Sequence, residues 1–153
     1  MKRRPLTRRR TLGAATASLV ALAGCVFTDG EVEFDRGELS VVVDGDPVDL
    51  SADRFQAENV DNDSVAFHLH ERDEYWYMEG EEPVTFAEGI DLLPRFAYAN
   101  REDAHVVTVD GTEYDGRDSS TAITFLVDDE VVDPTTYEVQ NGESLRLEIE
   151  TDA

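Results

Sequence analysis

Asn141-Gly142-Glu143-Ser144-Leu145-Arg146-Leu147-Glu148-Ile149-Glu150 opens on a turn dipeptide and then alternates apolar and charged residues without a break. Residues two apart on a strand share a face, so Leu145, Leu147 and Ile149 point to a core while Arg146, Glu148 and Glu150 point to water. A strand buried on one side is therefore the building unit of this domain. The same alternation, or a β-branched run, predicts strands from Leu39 to Val43, Ser64 to His70, Tyr75 to Glu79, His105 to Val109 and Ile123 to Val127.

Turn chemistry connects these units. Val43-Asp44-Gly45-Asp46-Pro47-Val48-Asp49, Val109-Asp110-Gly111-Thr112-Glu113-Tyr114-Asp115 and Val127-Asp128-Asp129-Glu130-Val131-Val132-Asp133 share one pattern, and each follows a β-branched run. Asp-Gly between apolar runs is a strong hairpin signal, because both central residues of a type I′ turn need positive φ. Three hairpins are expected at uneven spacing, which excludes a solenoid repeat. One helix is signposted by Thr85-Phe86-Ala87-Glu88, a capping box, followed by Phe86, Ile90 and Leu93 at helical spacing and Pro94 as a stop. The expected fold is α+β: a mostly antiparallel sheet of about six to eight strands with one short helix, β-grasp-like in its hairpin, helix and returning-strand order.

The first 25 residues read as an address. Arg8, Arg9 and Arg10 lead into an apolar run from Leu12 to Ala23 that closes on Leu22-Ala23-Gly24-Cys25. A basic segment, a short apolar segment and small residues before a cut site mark a secretory signal, and the run is too short for a spanning helix of roughly 20 residues. The paired arginines resemble a twin-arginine export signal, and Leu-Ala-Gly-Cys resembles a lipobox whose cysteine is lipidated. Residues 1–24 are expected to be removed, 25–37 to form a tether and 38–153 a single α+β domain. Cys25 is the one cysteine of the chain, so lipid on it leaves no thiol for a disulfide, a thiolate metal site or a cysteine nucleophile.

Charge is distributed as unevenly as hydrophobicity. All 35 acidic residues follow Cys25, and residues 25–153 carry seven arginines and no lysine, a formal charge of 7 − 35 = −28. Such a surface repels itself in dilute buffer and is screened in brine, where the Debye length falls to about 3 Å at 1 M salt. The pattern resembles proteins of extreme halophiles. Acids are interspersed with Val, Phe, Tyr and Trp along the whole length, which argues for a folded domain over a disordered acidic tail. There is no basic stripe to bind a phosphate backbone, which excludes nucleic acid. Asp-rich turns such as Asp44-Gly45-Asp46 do not fit a calcium-loop spacing.

His68-Leu69-His70 is the sole constellation with chemistry. On a strand both imidazoles share a face, and a four-residue loop, Glu71 to Glu74, sets His70 opposite Tyr75 and His68 opposite Tyr77. That register also places Val65, Phe67, Leu69, Trp76 and Met78 together on an apolar face. The candidate metal ligands are therefore His68, His70 and Tyr77, with His105 joining if its strand is a neighbour, and zinc or copper is the ion that imidazoles suit. The other reading of the pair is structural, two histidines bonded to aromatic and acidic neighbours. Phe67, Tyr75, Trp76 and Tyr77 are also weighed as a stacking platform for a sugar ring. No nucleophile-elbow, phosphate-loop or metalloprotease motif occurs, so no catalytic residue is assigned.

His68-Leu69-His70-Glu71, Tyr77-Met78-Glu79, Val84-Thr85-Phe86-Ala87-Glu88 and Asn141-Gly142-Glu143 together resemble small extracytoplasmic domains of bacteria and archaea. In these, His-x-His is followed after six residues by a third histidine, then a capped helix and a terminal hairpin. Tyr77 stands at the third-histidine position here, and the resemblance implies no particular activity. The function expected is a non-enzymatic, lipid-anchored binding or interaction domain on the outer side of the cell membrane of a halophilic archaeon, with a protein or small ligand as partner. The alternative is a transition-metal-binding lipoprotein using the His68 and His70 face.

Overall fold

Asp44-Gly45, Asp110-Gly111 and Asp128-Asp129 all hold positive φ, from 48° to 87°, as the turn chemistry requires. Each closes a two-residue hairpin. The computed structural model describes residues 34–61 and 64–152, within one unit that spans Val32–Ala153. The export signal at Arg8, Arg9 and Arg10, the lipobox Cys25 and the tether up to residue 33 lie outside the described residues.

The described chain runs β1 (Asp35–Val43), β2 (Asp46–Pro47), β3 (His68–Leu69), β4 (Tyr75–Met78), α1 (Phe86–Leu92), β5 (Phe96–Arg101), β6 (Ala104–Val109), β7 (Thr112–Asp115), β8 (Thr121–Val127), β9 (Glu130–Val131) and β10 (Leu145–Thr151). Two short 3-10 turns, Asp53–Phe55 and Ala57–Asn59, lie between β2 and β3. The fold is mostly β with one short helix. A seven-stranded mixed sheet has the order β3-β4-β1-β10-β8-β9, with β2 also on β1, and a separate antiparallel sheet has the order β5-β6-β7. First and last strands lie side by side and parallel, Leu39 beside Leu145 and Val43 beside Ile149.

Alternation decides which face is dry. Leu39 and Val41 of β1, Phe125 and Val127 of β8, and Leu145, Leu147 and Ile149 of β10 are buried, while Ser40, Arg146 and Glu150 between them are exposed. Each large apolar side chain buried this way stabilises the fold by roughly 1.5–3 kcal/mol. The cover comes from α1, from Phe55 and from β5 and β6, whose Phe86, Ile90, Phe96 and Val107 join the same core. Phe86 meets Phe125 edge-on at 5.0 Å, and Phe55 meets Phe96 at 5.4 Å. The helix is held as its capping box dictates: Glu88 N–H donates to Thr85 Oγ1 at 3.2 Å, and Thr85 N–H donates to Glu88 Oε2 at 2.8 Å.

Three local expectations change. The strand expected from Ser64 to His70 is reduced to His68–Leu69, because the chain turns through Val65 and Ala66. Val65 consequently leaves the apolar face and is 59% exposed, whereas Phe67, Leu69 and Trp76 are fully buried. β1 starts at Asp35, ahead of Leu39 and inside the stretch read as a tether, because Asp35 to Glu38 pair with β4. β5 was not expected. Its turn to β6 is Glu102-Asp103, with φ of 53° and 64°, a left-handed pair with no glycine to announce it.

Candidate metal centre

The site is built from a register. His68 pairs with Tyr77 and Leu69 with Trp76, which is the pairing a four-residue loop imposes. Leu69 and Trp76 then face the core, and His68, Tyr77 and Arg36, which pairs with Tyr77 from β1, form a row on the opposite face. Two residues along, His70 lies beside this row. The His68 and His70 ring centroids are 5.2 Å apart, and His70 sits edge-on to Tyr77 at 4.1 Å.

The loop that delivers His70 adopts conformations that few side chains favour. Glu71 and Arg72 both have positive φ, 62° and 58°, and such residues persist where their surroundings fix them. Here the preceding 3-10 turns do so. Glu71 N–H donates to Glu58 Oε1 at 2.6 Å and Arg72 N–H to Gln56 Oε1 at 2.8 Å. Gln56 is itself fully buried, and its Nε2 donates to the Leu50 carbonyl at 2.7 Å.

One His68 nitrogen, one His70 nitrogen and one Glu79 carboxylate oxygen all lie within 4.8 Å of one another. His68 Nε2 is 4.0 Å from Glu79 Oε1. Tetrahedral zinc with bonds of about 2.1 Å holds its donors about 3.4 Å apart, so the three groups need to close by roughly an ångström to grip an ion. Two imidazoles and a carboxylate, with a fourth position open, form a donor set that suits zinc or copper. His68 is buried, 6% exposed, while His70 and Glu79 are partly open, so an ion can enter from the solvent side.

Tyr77 lies against His70 and His68, with ring centroids 4.1 Å and 6.0 Å away. Its hydroxyl donates to Asp73 Oδ2 at 2.9 Å, and burial together with Asp73 pushes its pKa up to about 12, so the phenol stays protonated. Glu79 is the third group of the cluster, which the sequence reading did not include. It follows β4 two residues beyond Tyr77, and the period of two that put Tyr77 on the histidine face applies to it equally. The Glu79 N–H donates to the Val65 carbonyl at 2.9 Å, which fixes the end of the strand.

His105 does not join the cluster. It lies on β6, in the sheet whose members are β5 and β7, with Nδ1 2.8 Å from the Tyr98 hydroxyl and its ring against Phe125 at 5.2 Å. Burial lowers its pKa, and Asp133 opposes that shift. The stacking platform is also dismantled, since Phe67 and Trp76 stack on each other at 5.8 Å inside the core. Tyr75 and Tyr77 instead carry the Arg36 guanidinium, 4.5 Å and 5.5 Å from their ring centroids.

Glu58 is the residue that sequence spacing does not reveal. Its Oε1 lies 3.8 Å from His70 Nδ1, brought there by the 3-10 turns and not by any strand. Burial raises its pKa, yet the Glu71 N–H and the facing His70 and His68 outweigh this and hold its carboxyl below the usual range. A surface groove of about 580 Å³ lies elsewhere, lined by Ala66, Glu81, Pro83, Val84, Asp91 and Leu92. It carries no imidazole. No protein-family model, curated protein or solved structure matches this chain.

Proposed function

We propose that this protein is a non-enzymatic, lipid-anchored domain on the outer side of the cell membrane of a salt-adapted organism, and that it binds a transition-metal ion, zinc or copper, through His68, His70 and Glu79. The observation that carries the metal assignment is the convergence of two imidazoles and one carboxylate within 4.8 Å. Neutral imidazole is the commonest protein ligand for these ions, and a carboxylate completes a three-ligand set. The anchor rests on Leu22-Ala23-Gly24-Cys25, the setting on a charge of −28 after Cys25, and the non-enzymatic reading on the lack of a nucleophile motif in the sequence.

Calorimetric titration with Zn²⁺ and Cu²⁺ in molar salt tests the metal assignment. The His68→Ala, His70→Ala double variant is expected to lose at least a hundredfold in affinity relative to wild type. Equal affinities would remove the metal and leave the domain as an interaction module. For the anchor, Cys25→Ala is expected to move the protein from the membrane fraction to the soluble fraction, and a variant still in the membrane would refute it.

A further inference from the structure

We propose that Glu58 is a positioning residue of this centre, holding the proton of neutral His70 on Nδ1 so that Nε2 presents its lone pair to the metal. The inference rests on the metal reading for its purpose and on separate geometry for its substance. Histidines that ligate metals generally donate their other ring N–H to a carboxylate or carbonyl, which fixes both tautomer and ring angle. The structure supplies such a carboxylate beside Nδ1 of His70. Glu58 Oε1 stands 3.8 Å from His70 Nδ1, and it is anchored from behind by the Glu71 N–H at 2.6 Å. The separation is longer than a direct hydrogen bond, and a small rotation of the ring closes it.

The anchoring makes Glu58 more than a passing surface charge. Glu71 is the residue after His70, with φ of 62°, so the same carboxylate oxygen that faces the ring also holds the backbone bend behind it. Gln56 does the equivalent for Arg72, also at positive φ. Gln56 and Glu58 thus grip the loop at two consecutive amides, and Glu58 doubles as the partner of His70. Isolated histidine in water favours the opposite tautomer, with the proton on Nε2. A proton found on Nδ1 of His70 is therefore diagnostic.

Long-range ¹H–¹⁵N spectroscopy of the full-length chain labelled with ¹⁵N-histidine, metal-free at pH 8 in molar salt, reads the tautomer directly. His105, in the other sheet, is an internal control. Wild-type His70 is expected to carry its proton on Nδ1. Glu58→Gln keeps an oxygen for the Glu71 N–H and removes the charge, so the melting temperature should hold while the His70 proton shifts toward Nε2. Zinc affinity should fall on the order of tenfold to a hundredfold, the range seen when such outer partners are removed. His70 protonated on Nε2 in wild type, or a Glu58→Gln variant with unchanged tautomer and affinity, would overturn the proposal. Wild-type protein that shows the Nδ1 proton but fails to bind zinc would support the Glu58 to His70 coupling and overturn the metal reading instead.

Discussion

At Gly37 a Cβ would overlap the Glu143 carbonyl and lie 2.7 Å from the Trp76 ring, because the indole lies across the strand here and its Nε1 donates to Glu143 O at 3.1 Å. Gly37→Ala forces the Glu143 backbone and the indole to move, and overpacking of this kind costs about 1–3 kcal/mol. The check is the denaturant midpoint in molar salt, with the emission of Trp76, the single tryptophan, as reporter. An unchanged midpoint would contradict the packing. His105 makes a second prediction at this scale. Burial holds its folded pKa below the ordinary value of 6.5, so the unfolded chain binds more protons between the two pKa values. Its contribution is present above about pH 6.5 and lost as pH falls through the folded pKa. His105→Gln keeps a partner for the Tyr98 hydroxyl, and its melting temperature is expected to fall less than that of wild type between pH 7.5 and pH 5. Parallel curves would refute the assignment. The histidine pair and its register with Tyr77 were legible from loop length and alternation. Glu79 shares the same period of two, whereas Glu58 arrives through non-local packing that no spacing encodes.

Elements formed where the chain carries its own instructions. The capping box gave both of its hydrogen bonds, and removing one should show: Thr85→Ala is expected to cost about 1 kcal/mol, a drop of roughly 4 °C or more in melting temperature. The Asp-Gly hairpins are likewise written in single residues. Asp129 occupies the second turn position at φ of 68°, where Gly45 and Gly111 stand in the sister hairpins. Asp129→Gly therefore relieves a left-handed conformation and is expected to raise the melting temperature, while Gly111→Val is expected to lower it. The opposite order would refute the turn assignment. Elements without such signals were not legible. The turn from β5 to β6 uses Glu102 and Asp103 without a glycine, and β3 is short because Val65 and Ala66 turn despite their apolar character.

Across the whole domain, alternation predicted inward and outward faces, and the sheet uses them as predicted. It could not predict what covers the inward face. The answer is a second, three-stranded sheet beside α1, and the parallel seating of β10 on β1 joins residues about a hundred positions apart. The exposed faces are then left to charge. With −28 after Cys25 and a Debye length of about 10 Å at 0.1 M against 3 Å at 1 M, the domain is expected to lose its circular dichroism on dialysis out of brine and regain it on return. An unchanged spectrum would contradict salt adaptation. On one face of the sheet, β3 and β4 and the residues that follow them bring His68, His70 and Glu79 together. X-ray absorption at the zinc edge of metal-loaded, full-length protein in molar salt tests that face most directly. Two imidazole nitrogens and a carboxylate oxygen at about 2.0–2.2 Å, lost in the His68→Ala, His70→Ala variant, are the expected result. An all-oxygen shell without imidazole scattering, the same in both proteins, would contradict it.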